Sequence, residues 1–184
     1  MYPIVRLAKE VVKFRASPRL GLFETHHSTH VCWPWDIDPW RELNNGRTLT
    51  LYDLGRLVLA QRTALVPVLQ HERWQLAVAG SVVRYRRRVR AFYRLDMASR
   101  LVGWDDKFLY AEQSMWHRGT CTSHLVVRMA VTDAAGLVRM DRFARAVDLP
   151  EPPPLPDWIR TWIEAEARRP WPPMSGDDAG SGPL

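Results

Sequence analysis

The chain has 184 residues, 46% hydrophobic and 25% charged. That proportion fits one ordinary globular domain and is too apolar for a disordered chain. No apolar run approaches the roughly 18 residues that span a bilayer, and Arg6, Lys9, Glu10 and Lys13 interrupt the N-terminal apolar residues, so neither a transmembrane segment nor a signal peptide is expected. The formal charge is +6, and nearly all of it is arginine, since Lys9, Lys13 and Lys107 are the lysines. Arginine pairs with phosphate in bidentate fashion, which points to nucleic acid, acidic lipid or a phosphorylated small molecule, against a plain solvated surface. Cys32 and Cys121 make no disulfide framework and are read as reduced and at least partly buried. A cytoplasmic protein is the expectation.

In chain order, residues 2–15 carry Ile4, Leu7, Ala8, Val11, Val12 and Phe14 at helical spacing among basic residues. Such a helix lies on a membrane surface or packs on its own domain or a second subunit. Its shortness and modest hydrophobicity favour packing. Ser17-Pro18 ends it. Residues 22–33 are strand formers up to Pro34, and residues 34–47 read as a polar loop. From Thr48 to Leu65 the pattern is helical, with Leu51, Leu54, Val58 and Leu65 near one face, Asn44 or Asn45 as the cap and Pro67 as the stop. Four extended segments follow: 74–89, 92–104, 108–117 and 121–132. Turns stand at 104–107, Arg118-Gly119 and 133–136. Residues 150–157 are a proline-rich link, Asp157 caps a short helix carrying Trp158, Ile159, Trp162 and Ile163, and the tail from Arg168 has a disordered composition. One helix beside four consecutive antiparallel strands is an α+β arrangement in which the helix buries its face against the sheet. The division expected is 1–18, an N-terminal helix; 19–149, the main domain; 150–167, link and helix; 168–184, tail.

The chemistry concentrates in Asp36-Ile37-Asp38-Pro39-Trp40-Arg41-Glu42-Leu43-Asn44-Asn45-Gly46-Arg47. Two carboxylates stand just ahead of a helix start, whose unpaired N–H groups and positive dipole end polarise a carbonyl oxygen. A carboxylate there acts as base toward water or as nucleophile toward the carbonyl carbon. The competing reading is structural: Asp36 and Asn44 cap turns and the helix.

Asp38, Asn44, Asn45 and Arg47, followed by the helix, resemble the D-x-x-x-H-x-N-N-x-x-Y segment of the 4-hydroxybenzoyl-CoA-thioesterase-like hotdog proteins. The stretch from Trp33 to Arg56 is most similar to the branch of thioesterase superfamily member six. Gly80-Ser81, Arg84 to Arg87 and Arg100 to Lys107 fit the same branch, and the likeness runs from about Thr25 to Val131. The resemblance implies a hotdog fold, an antiparallel sheet wrapped around a long central helix, here with extra terminal helices. It also implies dimers or dimers of dimers with sites between subunits. By motif position Asp38 is then the catalytic aspartate, the N–H near Asn45 polarises the thioester carbonyl, and Asn44, counted among the substrate-binding residues, shapes the turn with Asn45. Two departures are evident. Relatives often carry Gly-His where this chain has Arg41-Glu42, and Thr48 replaces a frequent aromatic. Glu42 is expected to orient water or to pair with Arg41 or Arg47.

Arg84, Arg86, Arg88 and Arg90 alternate as if on one strand face, and with Arg47 they are the candidate substrate-binding cations. Coenzyme A phosphates, a solvated strand face and, less favoured for want of any recognised motif, nucleic acid are the readings weighed. His26, His30 and Cys32 share a strand face but match no common zinc spacing, so no metal is expected, and no cofactor. The implied activity is hydrolysis of an acyl- or aroyl-CoA. A non-catalytic hotdog that binds acyl-CoA or a partner protein is the alternative, ahead of a dehydratase, which would want a histidine in the loop.

Overall fold

The computed structural model describes residues 3–63, 65–148, 151–170 and 172–173. In chain order it contains α1 (Ile4–Phe14), β1 (His26–Val31), a 3-10 turn (Pro34–Asp36), α2 (Asn45–Arg62), α3 (Leu65–His71), β2 (Gln75–Tyr85), β3 (Arg94–Trp104), β4 (Phe108–His117), β5 (Thr120–Asp133), β6 (Gly136–Leu137), α4 (Met140–Val147) and α5 (Asp157–Ala167). The chain divides into Met1–Pro153 and Pro154–Leu184. The second unit holds α5. Asp157 is its first residue rather than its cap: Pro156 holds the cap position without any side-chain bond. Most of the tail assigned a disordered composition lies outside the described residues.

The first unit is built on α2 and a single antiparallel sheet in the order β1-β3-β4-β5-β2, with β6 added beside β5. β2 therefore lies at a free edge. Alternation on β5 puts Leu125, Val127, Met129 and Val131 on the buried side, as the sequence period of two requires. Two apolar lobes run along α2. Near its start Leu51, Tyr52 and Leu54 meet Leu95, Met97, Met115 and Leu125, and near its end Leu59 meets Leu101, Leu109, Val127 and Phe143. No helix among the described residues is long and apolar enough to cross a membrane.

Three local expectations need correction. The long helix ends at Arg62, and Leu65 opens a separate helix, α3. Pro67 sits inside the first turn of α3, where the missing N–H has no helical partner to lose. The strand expected over 74–89 stops at Tyr85, because the amides of Arg86 and Arg87 both turn to the carbonyl of Thr122. Helix α4 was not anticipated. Its Met140 and Phe143 are buried, and the Met140, Phe143, Val147 spacing was its one signal.

α1 packs through Leu7, Glu10, Val11 and Phe14 and leaves Ile4, Val5 and Val12 exposed. Beneath it β1 turns His26, Ser28 and His30 inward. His26 Nδ1 lies 3.0 Å from Arg62, and His30 Nε2 lies 2.9 Å from Ser28 Oγ. Cys32, just past β1, is buried, Cys121 is partly so, and both are free.

Where α2 crosses the sheet, Gly55 permits the approach. A Cβ on it would stand 2.5 Å from Met97 Sδ and 2.7 Å from Ser99 Oγ. Ser99 is held by the Gln113 amide at 2.8 Å, and that amide also donates to the Tyr52 carbonyl at 2.8 Å. The crowding atoms therefore cannot retreat without breaking a buried network. Gly55→Ala is expected to cost about 2 kcal/mol in urea-unfolding stability through overpacking, despite alanine's better helix propensity.

Candidate active site

The segment between β1 and α2 folds back on itself as a small hairpin. Ile37 bridges to Leu43, and the Asp38 amide donates to the Glu42 carbonyl at 2.9 Å. The Arg41 amide closes a four-residue turn onto the Asp38 carbonyl at 3.0 Å. Asp38 Oδ1 accepts from the amides of Trp40 (2.9 Å) and Glu42 (3.3 Å). Arg41 itself has φ 61°. A turn followed by a left-handed residue is a common hairpin connection, and it favours glycine. Here an arginine takes that left-handed backbone conformation.

Asp36 anchors the base of this hairpin. It is almost wholly buried. Its Oδ2 accepts from Arg6 at 2.7 Å and from the Trp33 amide at 3.0 Å, and its Oδ1 accepts from Arg47 Nε at 3.0 Å. Arg6 also donates to the Val31 carbonyl at 2.8 Å, while the Asp36 carbonyl accepts the Asn44 amide at 2.9 Å. The structural role weighed for Asp36 is thus the observed geometry, extended to three segments of the chain.

Asn44, not Asn45, caps α2. Its Oδ1 accepts from the amides of Gly46 (2.9 Å) and Arg47 (3.2 Å). Asn45 is the first helical residue, and its N–H makes no hydrogen bond among the described residues. An N–H at the start of an 18-residue helix is a ready donor to a negative oxygen.

Asn45 lines a cleft of about 280 Å³ together with Glu42, Leu43, Thr48, Tyr85, Arg86, Arg87, Arg88, Val89 and Ser123. Ser123 Oγ is bonded to the buried Tyr52 hydroxyl at 2.8 Å. Glu42 pairs with Arg88 at 3.2 Å, rather than with Arg41 or Arg47. Arg88 also borders a second hollow, lined by Pro34, Ile37, Trp40, Arg41, Arg90 and Ala91.

The sequence candidates are therefore divided. Asn45, Arg86 and Arg88 meet at the first cleft. Arg47 is engaged with Asp36, and Arg84 lies on β2 and does not line the cleft. The shared strand face of Arg84, Arg86, Arg88 and Arg90 does not form, because the strand ends before three of them. Asp38 sits at the hairpin tip and does not line the cleft of its own chain. Among the described residues its Oδ2 accepts no hydrogen bond. Glu42 is the carboxylate at the cleft, where the sequence had suggested either a water-orienting role or a pairing with Arg41 or Arg47.

Residues 32–163 match the family model of the thioesterase-like superfamily. The chain belongs to that superfamily. A relative from Xenopus laevis, Protein THEM6, is 32% identical over 110 residues, which cover 59% of this chain and 53% of that protein. The chain thus aligns with about half of that relative's length. Protein THEM6 of Drosophila melanogaster is 26% identical over 138 residues, covering 73% of this chain and 70% of that one. Among solved structures, the probable thioesterase YbaW of Escherichia coli superposes with a TM-score of 0.61 at 13% identity, over 66% of this chain and 95% of that one. The DHNA-CoA thioesterase of Staphylococcus aureus gives 0.57 at 11% identity, over 78% and 91%. These likenesses establish the fold. It is the α+β hotdog of the superfamily, a curled antiparallel sheet around one long helix, as the resemblance implied.

Proposed function

We propose that the chain hydrolyses acyl- or aroyl-CoA thioesters to the free acid and coenzyme A. The observation that carries this reading is the unpartnered Asn45 N–H at the start of α2, opening on an arginine-lined cleft beside a carboxylate-bearing hairpin. The N–H takes the thioester oxygen as it becomes an oxyanion, and the helix dipole adds to the attraction. Asp38, through an Oδ2 that accepts no hydrogen bond among the described residues, removes a proton from the attacking water, or attacks the carbonyl carbon itself to give a mixed anhydride that water hydrolyses once the thiolate has left. The carbon–sulfur bond then breaks, and the thiolate leaves and is protonated. Arg86 and Arg88, which line the cleft, supply positive charge for the phosphates. A homodimer belongs to this reading, since Asp38 does not reach the cleft of its own chain and a second subunit completes the site.

The test is thiol release from a panel of acyl- and aroyl-CoAs by wild type, Asp38→Asn and Glu42→Gln. Asparagine keeps the Oδ1 that holds the Trp40 and Glu42 amides, so the hairpin persists while the charge is lost. Asp38→Asn is expected to lower kcat/KM by about a hundredfold or more, with Glu42→Gln much milder. The reverse pattern would move the role to Glu42, the carboxylate at the cleft. A folded wild type that binds acyl-CoA without turnover would make the chain a binding module.

A further inference from the structure

The strongest feature outside the cleft is a set of exposed aromatic side chains. Trp35 is 66% exposed, Trp40 75% and Phe92 68%. Trp33 joins them, stacked on Trp35 at 5.4 Å and edge-on to Phe92 at 6.3 Å. Two loops present this group, residues 32–41 and 86–92. They are tied together where the Phe92 amide donates to the Cys32 carbonyl and the Cys32 amide to the Tyr93 carbonyl. Trp40 belongs to the same surface, because it and Pro34 line one hollow with Arg41, Arg88, Arg90 and Ala91. Arg6 of α1 bonds Asp36 and Val31 and so ties that helix to the Trp33–Asp36 turn.

Soluble chains bury tryptophan far more often than they display it, and a large exposed apolar group marks a binding surface. Here the rim is strongly cationic: Arg41, Arg86, Arg87, Arg88 and Arg90 are all exposed, and Arg88 is the one with a carboxylate partner, Glu42, among the described residues. A second copy of the same surface is a poor occupant, since it would set arginines against arginines. Base stacking by nucleic acid fits less well, because Trp33 and Trp35 already cover each other. Tryptophan and phenylalanine that insert at a headgroup layer, with arginines that meet anionic headgroups, match a lipid surface on both counts.

We propose that the face formed by Trp33, Trp35, Trp40 and Phe92, ringed by arginines, docks the protein onto an anionic membrane surface. The docking is peripheral, by loop tips and headgroup contacts. The aromatic face does not rest on the thioesterase reading, although its rim shares Arg86 and Arg88 with the cleft.

The test is co-sedimentation of the full chain with vesicles of phosphatidylcholine alone or mixed with phosphatidylglycerol, alongside the double variant Trp35→Ser/Phe92→Ser. Circular dichroism and thermal unfolding serve as fold controls. The wild type should bind the mixed vesicles, bind phosphatidylcholine alone much more weakly and release at high salt. The double variant, folded, should bind at least roughly tenfold more weakly, as expected when two aromatic insertions are lost. The proposal falls if the chain ignores the mixed vesicles, if it binds both compositions equally, or if the folded variant binds as well as wild type. It also falls if sedimentation shows that the variant splits an oligomer, which makes the face a subunit contact, or if single-stranded RNA is bound through it while vesicles are not.

Discussion

Asp36→Ala is expected to lower the stability of the fold by about 4 kcal/mol, the range for removing one partner of a buried ionic cluster. The carboxylate is nearly inaccessible and serves Arg6, Arg47 and the Trp33 amide. Without it two guanidiniums lose the carboxylate they share, and the Trp33 amide loses its acceptor. The loss extends beyond one bond, because Asp36 joins α1, the 3-10 turn and the first turn of α2. Urea unfolding monitored by circular dichroism measures the cost. The triple variant Asp36→Ala/Arg6→Met/Arg47→Met separates the causes: if stranded charge dominates, removing both arginines should recover much of the deficit. A drop under about 1 kcal/mol, typical of an exposed pair, would show that the cluster is solvated and weak.

The second large effect is a fall in stability on mild acidification. Burial, with help from Arg62, His27 and Lys13, pulls the His26 pKa down to about 4. Burial, then Arg6, Lys13, His26 and Lys9, does the same for His30. Both imidazoles are neutral when folded. In the unfolded chain they take up protons near the ordinary value of 6.5. As pH falls from there toward 4, the unfolded state binds protons that the folded state refuses, so stability is lost. The slope is at most about 1.4 kcal/mol per pH unit for each residue. The His26 geometry gives a local reason. A guanidinium only donates, so Nδ1 must accept from Arg62, and a proton on Nδ1 would break that bond. Urea midpoints measured downward from pH 6.5 should fall steadily, and His30→Gln should remove about half of the slope. Glu112 does not blur this window. Its hydrogen bond from His124, with Arg100 adding to it against the effect of burial, holds its pKa down to about 2, so its contribution is lost only below about 4.5. A flat profile between 6.5 and 4.5 would mean that the two rings reach water in the folded state.

Much of the sheet and the long helix could be read from periodicity, because residues 92–104 and 121–132 largely alternate and α2 repeats its apolar residues every three or four positions. The failures have a common physical form. Local pattern continued where a tertiary partner ran out. Arg84, Arg86 and Arg88 alternate in sequence, but opposite Arg86 the β4–β5 hairpin has reached Thr122, and two amides share one carbonyl. Leu65 keeps the helical rhythm of α2, yet the chain turns at Thr63. The site was legible in part. Asp38, Asn44 and Asn45 stood out by motif and by their place ahead of a helix. That Asn44 caps and Asn45 faces the cleft depends on cap geometry that an Asn-Asn pair leaves open. The tie of Asp36 to Arg6, 30 residues away, and the pairing of Glu42 with Arg88 have no local signature. Long-range ion pairs leave none when arginine is common along the whole chain.

The free edge at β2 has a consequence for handling the protein. An eleven-residue strand with one side unpaired among the described residues offers a row of backbone donors and acceptors to any other extended chain. Exposed Val78 adds an apolar contact to that row, while Arg84 near its end opposes stacking by charge. An isolated chain therefore carries an aggregation template along one flank. Association that covers the edge would make apparent stability rise with protein concentration.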